Sequence, residues 1–321
     1  MLTKEQAVTY FPTKVVIETP KPDRLKYFFL APPKFGKTTF FAGCPNSLLL
    51  AFEEGHMFAA THKIVITDWT PTTLKDRGPL QDEETGIIYA TAMEVIEALE
   101  AYNPYRLIIM DTIDMAVKMS TDFELGRAKL QHPSDGGDYG KGWDLYQTQP
   151  IRRYYNRLVK LGVGVACTSH IREDWRKDKY GQDQYRREST LAAGVQRYIH
   201  TQSDVVINGF FGRKKPKRGK QIRDRIISFD GTDEVLAGTR IQKVFIPNKY
   251  ICAPPTDEDP GIPWKQWSKF FTESPKAGQE AEKEYMEQIK TVDSDTVLVT
   301  TEAKAQAAEE EPKPKTNKKS N

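Results

Sequence analysis

Five short runs in the first half of the chain are apolar almost throughout: LKYFFLA (25–31), SLLLAFE (47–53), KIVITDW (63–69), RLIIMDT (106–112) and VGVACTS (163–169). None alternates apolar with polar residues, so none suits a sheet with one wet face. Strands buried on both faces of a parallel sheet have this composition. Between them, ATAMEVIEALEAY (90–102) and WDLYQTQPIRRYYNRLVKLG (143–162) repeat apolar residues at helical spacing, with Pro150 marking a kink or a helix start. Parallel strands need crossovers, and helices are the usual ones. The alternation therefore predicts a doubly wound α/β domain. The rhythm then changes: SDVVINGFFGRK (203–214), RDRIISFDG (223–231) and TRIQKVFIP (239–247) read as consecutive antiparallel strands joined by turns.

From Glu273 to Asn321 aromatic residues almost vanish, and Ala, Glu, Lys and Pro dominate. Such a segment buries too little apolar surface to offset its ordering entropy, so it reads as a disordered tail with a short helix around 278–290. Ahead of it, GIPWKQWSKFF (261–271) reads as a small helix packing on the core. The organisation expected is an N-terminal segment (1–21), a core (22–255), a short helical segment (256–272) and the charged tail (273–321). Cys44, Cys167 and Cys252 are scattered without CxxC spacing. That argues against a disulfide framework or zinc site and for a reducing cytoplasm. No apolar run approaches the roughly 18 residues needed to cross a bilayer, and no secretory signal is visible. The net charge of +3 is too small to imply a polyanionic partner, so local clusters must carry that argument.

The chemistry begins in FFLAPPKFGKTTFF (28–41). Gly36-Lys37-Thr38-Thr39 is how a phosphate-binding loop ends, with Ala31 where the opening glycine is expected. An apolar strand leads in and a helix can start at Thr38, which is the setting such a loop requires. Ala31, Pro32, Pro33, Lys34, Phe35, Gly36, Lys37, Thr38 and Thr39 would then cradle ATP. Gly36 lets the backbone approach the phosphates, Lys37 reaches the terminal ones, and Thr38 offers its hydroxyl to Mg2+. The bland alternative is a basic turn after a buried strand. RLIIMD ends in Asp111, where an acid can hold the metal's water, or be an ordinary strand-end carboxylate. AFEEG places Glu53 and Glu54 past another strand, where a carboxylate can activate water, or simply cap a helix. VGVACTSH ends in Ser169 and His170, placed to sense a terminal phosphate. In open α/β sheets ligands bind at the carboxyl ends of strands, and all four features fall there.

This order of motifs resembles the RecA-like ATPases, and most closely the small phage enzymes of that type linked to single-strand annealing and recombination. APPKFGKTT, AFEEG, CTSHIRE, DYGKGWD (138–144) and STLAAGVQRYIHTQSDVVI (189–207) carry the resemblance, over about residues 22–255. It implies a RecA-like P-loop NTPase core with a mainly parallel central sheet, antiparallel C-terminal strands and a disordered tail. It makes Glu53 rather than Glu54 the base, Lys37 and His170 its catalytic companions, and Thr38 with Asp111 the metal site. It also implies single-stranded DNA on two mobile loops. The first maps to AKLQHPSDGGDYGKG (128–142), which is glycine-rich and flexible by composition. The second maps to IREDWRKDKYGQDQYRREST (171–190), where Arg172, Arg176, Lys177, Lys179, Arg186 and Arg187 alternate with Trp175, Tyr180 and Tyr185. Cations there can hold phosphates while aromatic faces stack on bases; a solvated lid is the alternative. A second basic run, GRKKPKRGKQIRDR (212–225), offers Lys214, Lys215, Lys217, Arg218 and Lys220 to phosphates, or is a solvated hairpin tip. A homo-oligomer, ring or filament, is further implied, with Arg240 or Lys249 reaching a neighbour's site. The expected function is ATP-dependent single-stranded-DNA binding in recombination or annealing, in a host cytoplasm. A RecA-fold helicase or its loader, and a non-catalytic nucleotide-gated module, are the alternatives.

Overall fold

The computed structural model describes residues 20–53, 59–70, 79–137, 140–177, 183–212, 224–231, 236–241, 244–273 and 275–290. Its centre is β1 (Lys26–Ala31), every residue of which is buried except the first. The sheet around it runs β12-β10-β9-β1-β7-β6-β2-β3-β5-β4. Those strands are β2 (Ser47–Ala51), β3 (His62–Ile66), β4 (Leu80–Gln81), β5 (Ile88–Ala90), β6 (Leu107–Asp111), β7 (Gly164–Lys177), β9 (Val205–Phe211), β10 (Arg225–Ser228) and β12 (Lys249–Cys252). From β9 through β5 every neighbour is parallel, while β10, β12 and β4 pair antiparallel at the edges. All five apolar runs are strands of this sheet.

Two apolar layers cover the sheet, and the alternation of side chains along β1 feeds both. Phe28 and Leu30 join a layer built from Ile96 of α2 (Ala92–Ala101), Val117 of α3 (Ile113–Ala128), Tyr155 of α4 (Gln149–Lys160) and Ile199 of α5 (Ala193–Gln202). Tyr27, Phe29 and Ala31 join the other, with Phe40 and Phe41 of α1 (Lys37–Ala42) and Trp264, Trp267 and Phe270 of α6 (Ile262–Thr272). Thr91 caps α2 reciprocally with Glu94, which fixes where that crossover starts. Pro150 is at the start of α4, where a missing N–H costs nothing; a π turn (Asp144–Thr148) precedes it. The helix read from GIPWKQWSKFF is part of the core, because Trp267 is fully buried and donates from Nε1 to the Tyr27 hydroxyl at 3.0 Å. A last helix, α7 (Lys276–Lys290), lies inside the segment whose composition reads as a tail; its Tyr285 is buried and Glu282 accepts the Asn248 amide at 3.2 Å. Residues 291–321 lie outside the described part.

Several local expectations change. The third antiparallel strand is KYIC (249–252) rather than TRIQKVFIP, of whose described residues Thr239 alone joins a two-residue pairing, β11 (Gly238–Thr239), with β9. β9 itself is parallel to β1. The segment after His170 is a ribbon instead of a loop: β7 continues past the sheet edge and pairs antiparallel with β8 (Asp183–Ser189), from Ile171↔Ser189 to Lys177↔Asp183. Two glycines of the 128–142 segment stand at close approaches. A Cβ on Gly142 would lie 1.8 Å from the Pro133 carbonyl oxygen, and one on Gly136 2.1 Å from the Tyr146 ring. Those glycines allow close packing of a turn on a helix; Asp138 and Tyr139 between them lie outside the described residues.

Candidate functional site

The loop between β1 and α1 has the backbone that phosphate binding needs. Gly36 sits at φ 99° ahead of α1 and Lys34 at φ 62°, so the chain curls at two left-handed positions. Ala31 is not at one of them: it is the last residue of β1, paired with His170, which is why alanine serves where glycine is the more common choice. Pro33 and Lys34 are exposed, whereas Phe35 and Lys37 are buried. The Lys37 ammonium turns back into the loop, donating to the carbonyls of Ala31 at 2.9 Å and Pro32 at 3.3 Å.

Around Lys37 the ends of three further strands converge. Thr38 donates to Asp111 Oδ2 at 2.6 Å, and Thr168 donates to Asp111 Oδ1 at 2.5 Å. Glu53 Oε1 accepts from the Thr112 hydroxyl at 2.5 Å and lies 3.4 Å from His170 Nε2. His170 Nδ1 is 3.3 Å from the Lys37 ammonium. An ammonium only donates, so Nδ1 accepts and the ring proton sits on Nε2, facing Glu53. His170 thus bridges the loop lysine and the carboxylate at the next strand end. The bond from His170, more than any other influence, holds the Glu53 carboxyl below its usual range, with Thr112 and Lys37 assisting against burial. Burial lowers Lys37, opposed by Asp111, Asp114 and Glu53.

Ser169, adjacent to His170, does not share this site. Neighbouring strand residues point to opposite faces, and the Ser169 hydroxyl meets Ser189 at 2.7 Å and donates to Asp114 at 3.1 Å. Asp114 also accepts the His170 amide at 3.3 Å and the Thr190 hydroxyl, so it ties the strand end to the close of the ribbon. Thr112, Thr168 and Asp114 were not singled out from the sequence. Thr112 and Asp114 flank Asp111, but Thr168 meets it only through the β6–β7 register.

Of the residues read as DNA contacts, Arg172 is exposed and 3.5 Å from Glu188, Lys177 is exposed, and the Arg187 guanidinium lies 5.2 Å over the Phe210 ring. The side chains of Trp175, Arg176, Tyr185 and Arg186, and all of Lys179, Tyr180, Lys214, Lys215, Lys217, Arg218, Lys220 and Glu54, lie outside the described part. Arg240 donates its amide to Asp204 at 2.9 Å, at the sheet edge opposite the phosphate loop, and Lys249 Nζ is 3.8 Å from Asp230. Neither reaches the loop of its own chain.

The donor set fits a nucleoside triphosphate with Mg2+. A buried ammonium turned into a curled loop matches phosphate charge. Thr38 and Asp111 are hard oxygen donors of the kind Mg2+ prefers, and Mg2+ commonly takes its remaining ligands from phosphate and water. Among the described residues no group of three or more His, Cys, Asp or Glu could hold a metal ion. Nor, among them, is any helix long and apolar enough to cross a membrane.

A family model described as an AAA domain matches residues 23–241, more than half of the chain. No curated protein matches it. Solved structures that are similar include a KaiC-like protein from the hyperthermophilic archaeon Pyrococcus horikoshii OT3, 11% identical over 73% of this chain and 88% of that one with a TM-score of 0.35. The flagellar accessory protein FlaH from Methanocaldococcus jannaschii is 10% identical over 72% and 85%, with a TM-score of 0.36. With the family match spanning the phosphate loop, Glu53, Asp111 and His170, the chain belongs to the AAA domain family.

Proposed function

We propose that this protein hydrolyses ATP and couples hydrolysis to binding of single-stranded DNA, in recombination or annealing. The observation that carries the reading is the bridge Lys37–His170–Glu53 at the root of the β7–β8 ribbon. Bound in the loop, ATP with Mg2+ supplies the electrophilic phosphorus and the charge that the site is built to hold. Lys37 would bind the terminal phosphates, and Thr38 and Asp111 would hold the metal. Glu53, kept ionised by His170, accepts the proton of the attacking water. His170 lies between the loop and the ribbon, so a change in its contacts on one side alters the other. The ribbon's Arg172, Lys177 and Arg187 hold DNA phosphates, in company with the aromatic residues of its sequence. The small phage enzymes of the resemblance, a host cytoplasm, and an oligomer in which Arg240 or Lys249 serves a neighbouring site belong to the same reading.

The test is ATP turnover with and without single-stranded DNA for wild type, Lys37→Ala and Glu53→Gln. DNA should accelerate the wild type. Lys37→Ala should lose nucleotide binding, and Glu53→Gln should bind ATP yet turn over at least 100-fold more slowly, the usual scale of a lost general base. Equal wild-type rates with and without DNA would end the coupling half of the proposal.

A further inference from the structure

Arg225 opens β10 on the sheet face that carries the phosphate loop, since its strand neighbour Ile227 pairs with Gly209 and packs in the layer that holds Phe35 and Phe40. A Cβ built on Gly36 would stand 3.0 Å from Arg225 Nη1 and 3.4 Å from Cζ. The guanidinium therefore lies against the glycine that precedes Lys37. It is half-buried, and among the described residues it has no hydrogen bond or ion pair. Other basic side chains nearby have occupations: Lys37 is tied to its loop, Arg172 faces Glu188, and Arg187 covers Phe210. A guanidinium carries five donors in a planar fork suited to phosphate, and leaving them partly desolvated without an acceptor costs free energy.

The sheet order says which phosphate it would meet. Glu53, Asp111 and His170 come from β2, β6 and β7, all on one side of β1, whereas β9 and β10 lie on the other. A nucleotide whose terminal phosphate faces Glu53 must carry its sugar away from that group, over β9 and β10. We infer that Arg225 binds the sugar-side phosphate of a nucleoside di- or triphosphate, from the same chain that supplies the loop. This rests on the ATP-binding reading above. It divides the work between two cations: Lys37 answers the terminal phosphates, and Arg225 answers the phosphate next to the sugar, which ATP and ADP both carry.

The experiment measures affinity of the full-length protein for methylanthraniloyl-labelled ATP and ADP by fluorescence titration. Wild type, Arg225→Gln, Arg225→Lys and Lys37→Ala are compared, with thermal unfolding in the absence of nucleotide as a folding control. Arg225→Gln should weaken ATP and ADP alike by roughly tenfold, the scale of one charge-assisted hydrogen bond. Arg225→Lys should keep the charge but lose the fork, falling between Gln and wild type for both ligands. Unperturbed unfolding of these variants is expected, because the described contacts of the guanidinium contain no bond to lose. If Arg225→Gln fails to fold, the lysine variant decides alone: equal losses for ATP and ADP support the assignment, and no loss overturns it. Wild-type affinity in both Arg225 variants overturns it while leaving the loop assignment intact. A loss confined to ATP also overturns it, by placing the group at the terminal phosphate. Wild type that binds neither nucleotide sinks this inference and the proposed function together.

Discussion

Phe35 occupies a loop position that asks for no phosphate chemistry, yet it is 2% exposed. Its ring centroid is 5.7 Å from that of Phe29 and 5.5 Å from that of Phe211, so it pins the loop onto β1 and β9. Room for it comes from Gly209: a Cβ there would lie 2.7 Å from Phe35 Cε1 and Cζ and 3.0 Å from the Ala31 Cβ. Gly209→Ala should therefore overpack the joint, at about 1–3 kcal/mol. Against that stands the roughly 0.5–1 kcal/mol by which alanine is better than glycine within a strand. The net expectation is a loss of about 1–2 kcal/mol. Phe35→Ala should cost about 3–5 kcal/mol through lost transfer energy and a cavity. In the double variant the new methyl enters vacated space, so Gly209→Ala should cost nothing or stabilise slightly, for a coupling of about 2 kcal/mol. Equilibrium urea unfolding of the four proteins measures this cycle, provided their slopes agree. Additivity within about 0.5 kcal/mol would refute the argument, since it would mean ring and glycine do not compete for one space. Because the ring anchors the phosphate loop, Gly209→Ala should also weaken ATP binding at temperatures where it remains folded.

Four further outcomes are expected. Asp111→Asn leaves one of the two hydroxyls, Thr38 or Thr168, without its acceptor, so the Mg2+ concentration that supports half-maximal ATP turnover should rise at least several-fold, and chelation should abolish turnover in both proteins. The Glu53 carboxyl lies below its usual value of 4.5, with His170 as the main cause. A depressed carboxylate contributes stability above its unfolded pKa and loses it as pH falls through the folded one. The stability gap between wild type and His170→Ala should thus be full at neutral pH and shrink below about pH 4.5, in urea unfolding at a series of pH values. Gly142→Ala should destabilise markedly, by about 1–3 kcal/mol or more, because a backbone carbonyl cannot move aside as a side chain can. All three cysteines are buried and free, with burial holding the Cys44 and Cys252 thiols up at about 12; a thiol reagent should find none in the native protein and three after denaturation.

Much of the architecture could be read along the chain because it is encoded by neighbours. A run such as LIIMD has apolar side chains on successive positions, which suits burial on both faces whatever strand lies beside it. GKTT after KYFFLA likewise carries its own geometry, since loop curvature depends on local backbone freedom at Gly36. The ribbon at 171–189 was harder to see, as its mixture of charges and aromatics lacks the apolar pattern of a core strand. TRIQKVFIP misled in the opposite direction, having strand composition while KYIC takes the place beside β10.

By itself, then, the order of residues determined a doubly wound sheet, a phosphate loop and the polar ends of three strands. Only the tertiary structure decided which of those ends meet. Lys37 and His170 are 133 positions apart and Thr38 and Asp111 are 73 apart, and their contacts exist because β1, β7 and β6 are parallel neighbours in a particular register. Register also sent His170 into the site and Ser169 away from it, and it laid Arg225 against Gly36 from a strand two places removed. Local composition sets the conformation of a segment, but side chains distant along the chain are brought together by the pairing of whole strands, which no single segment encodes.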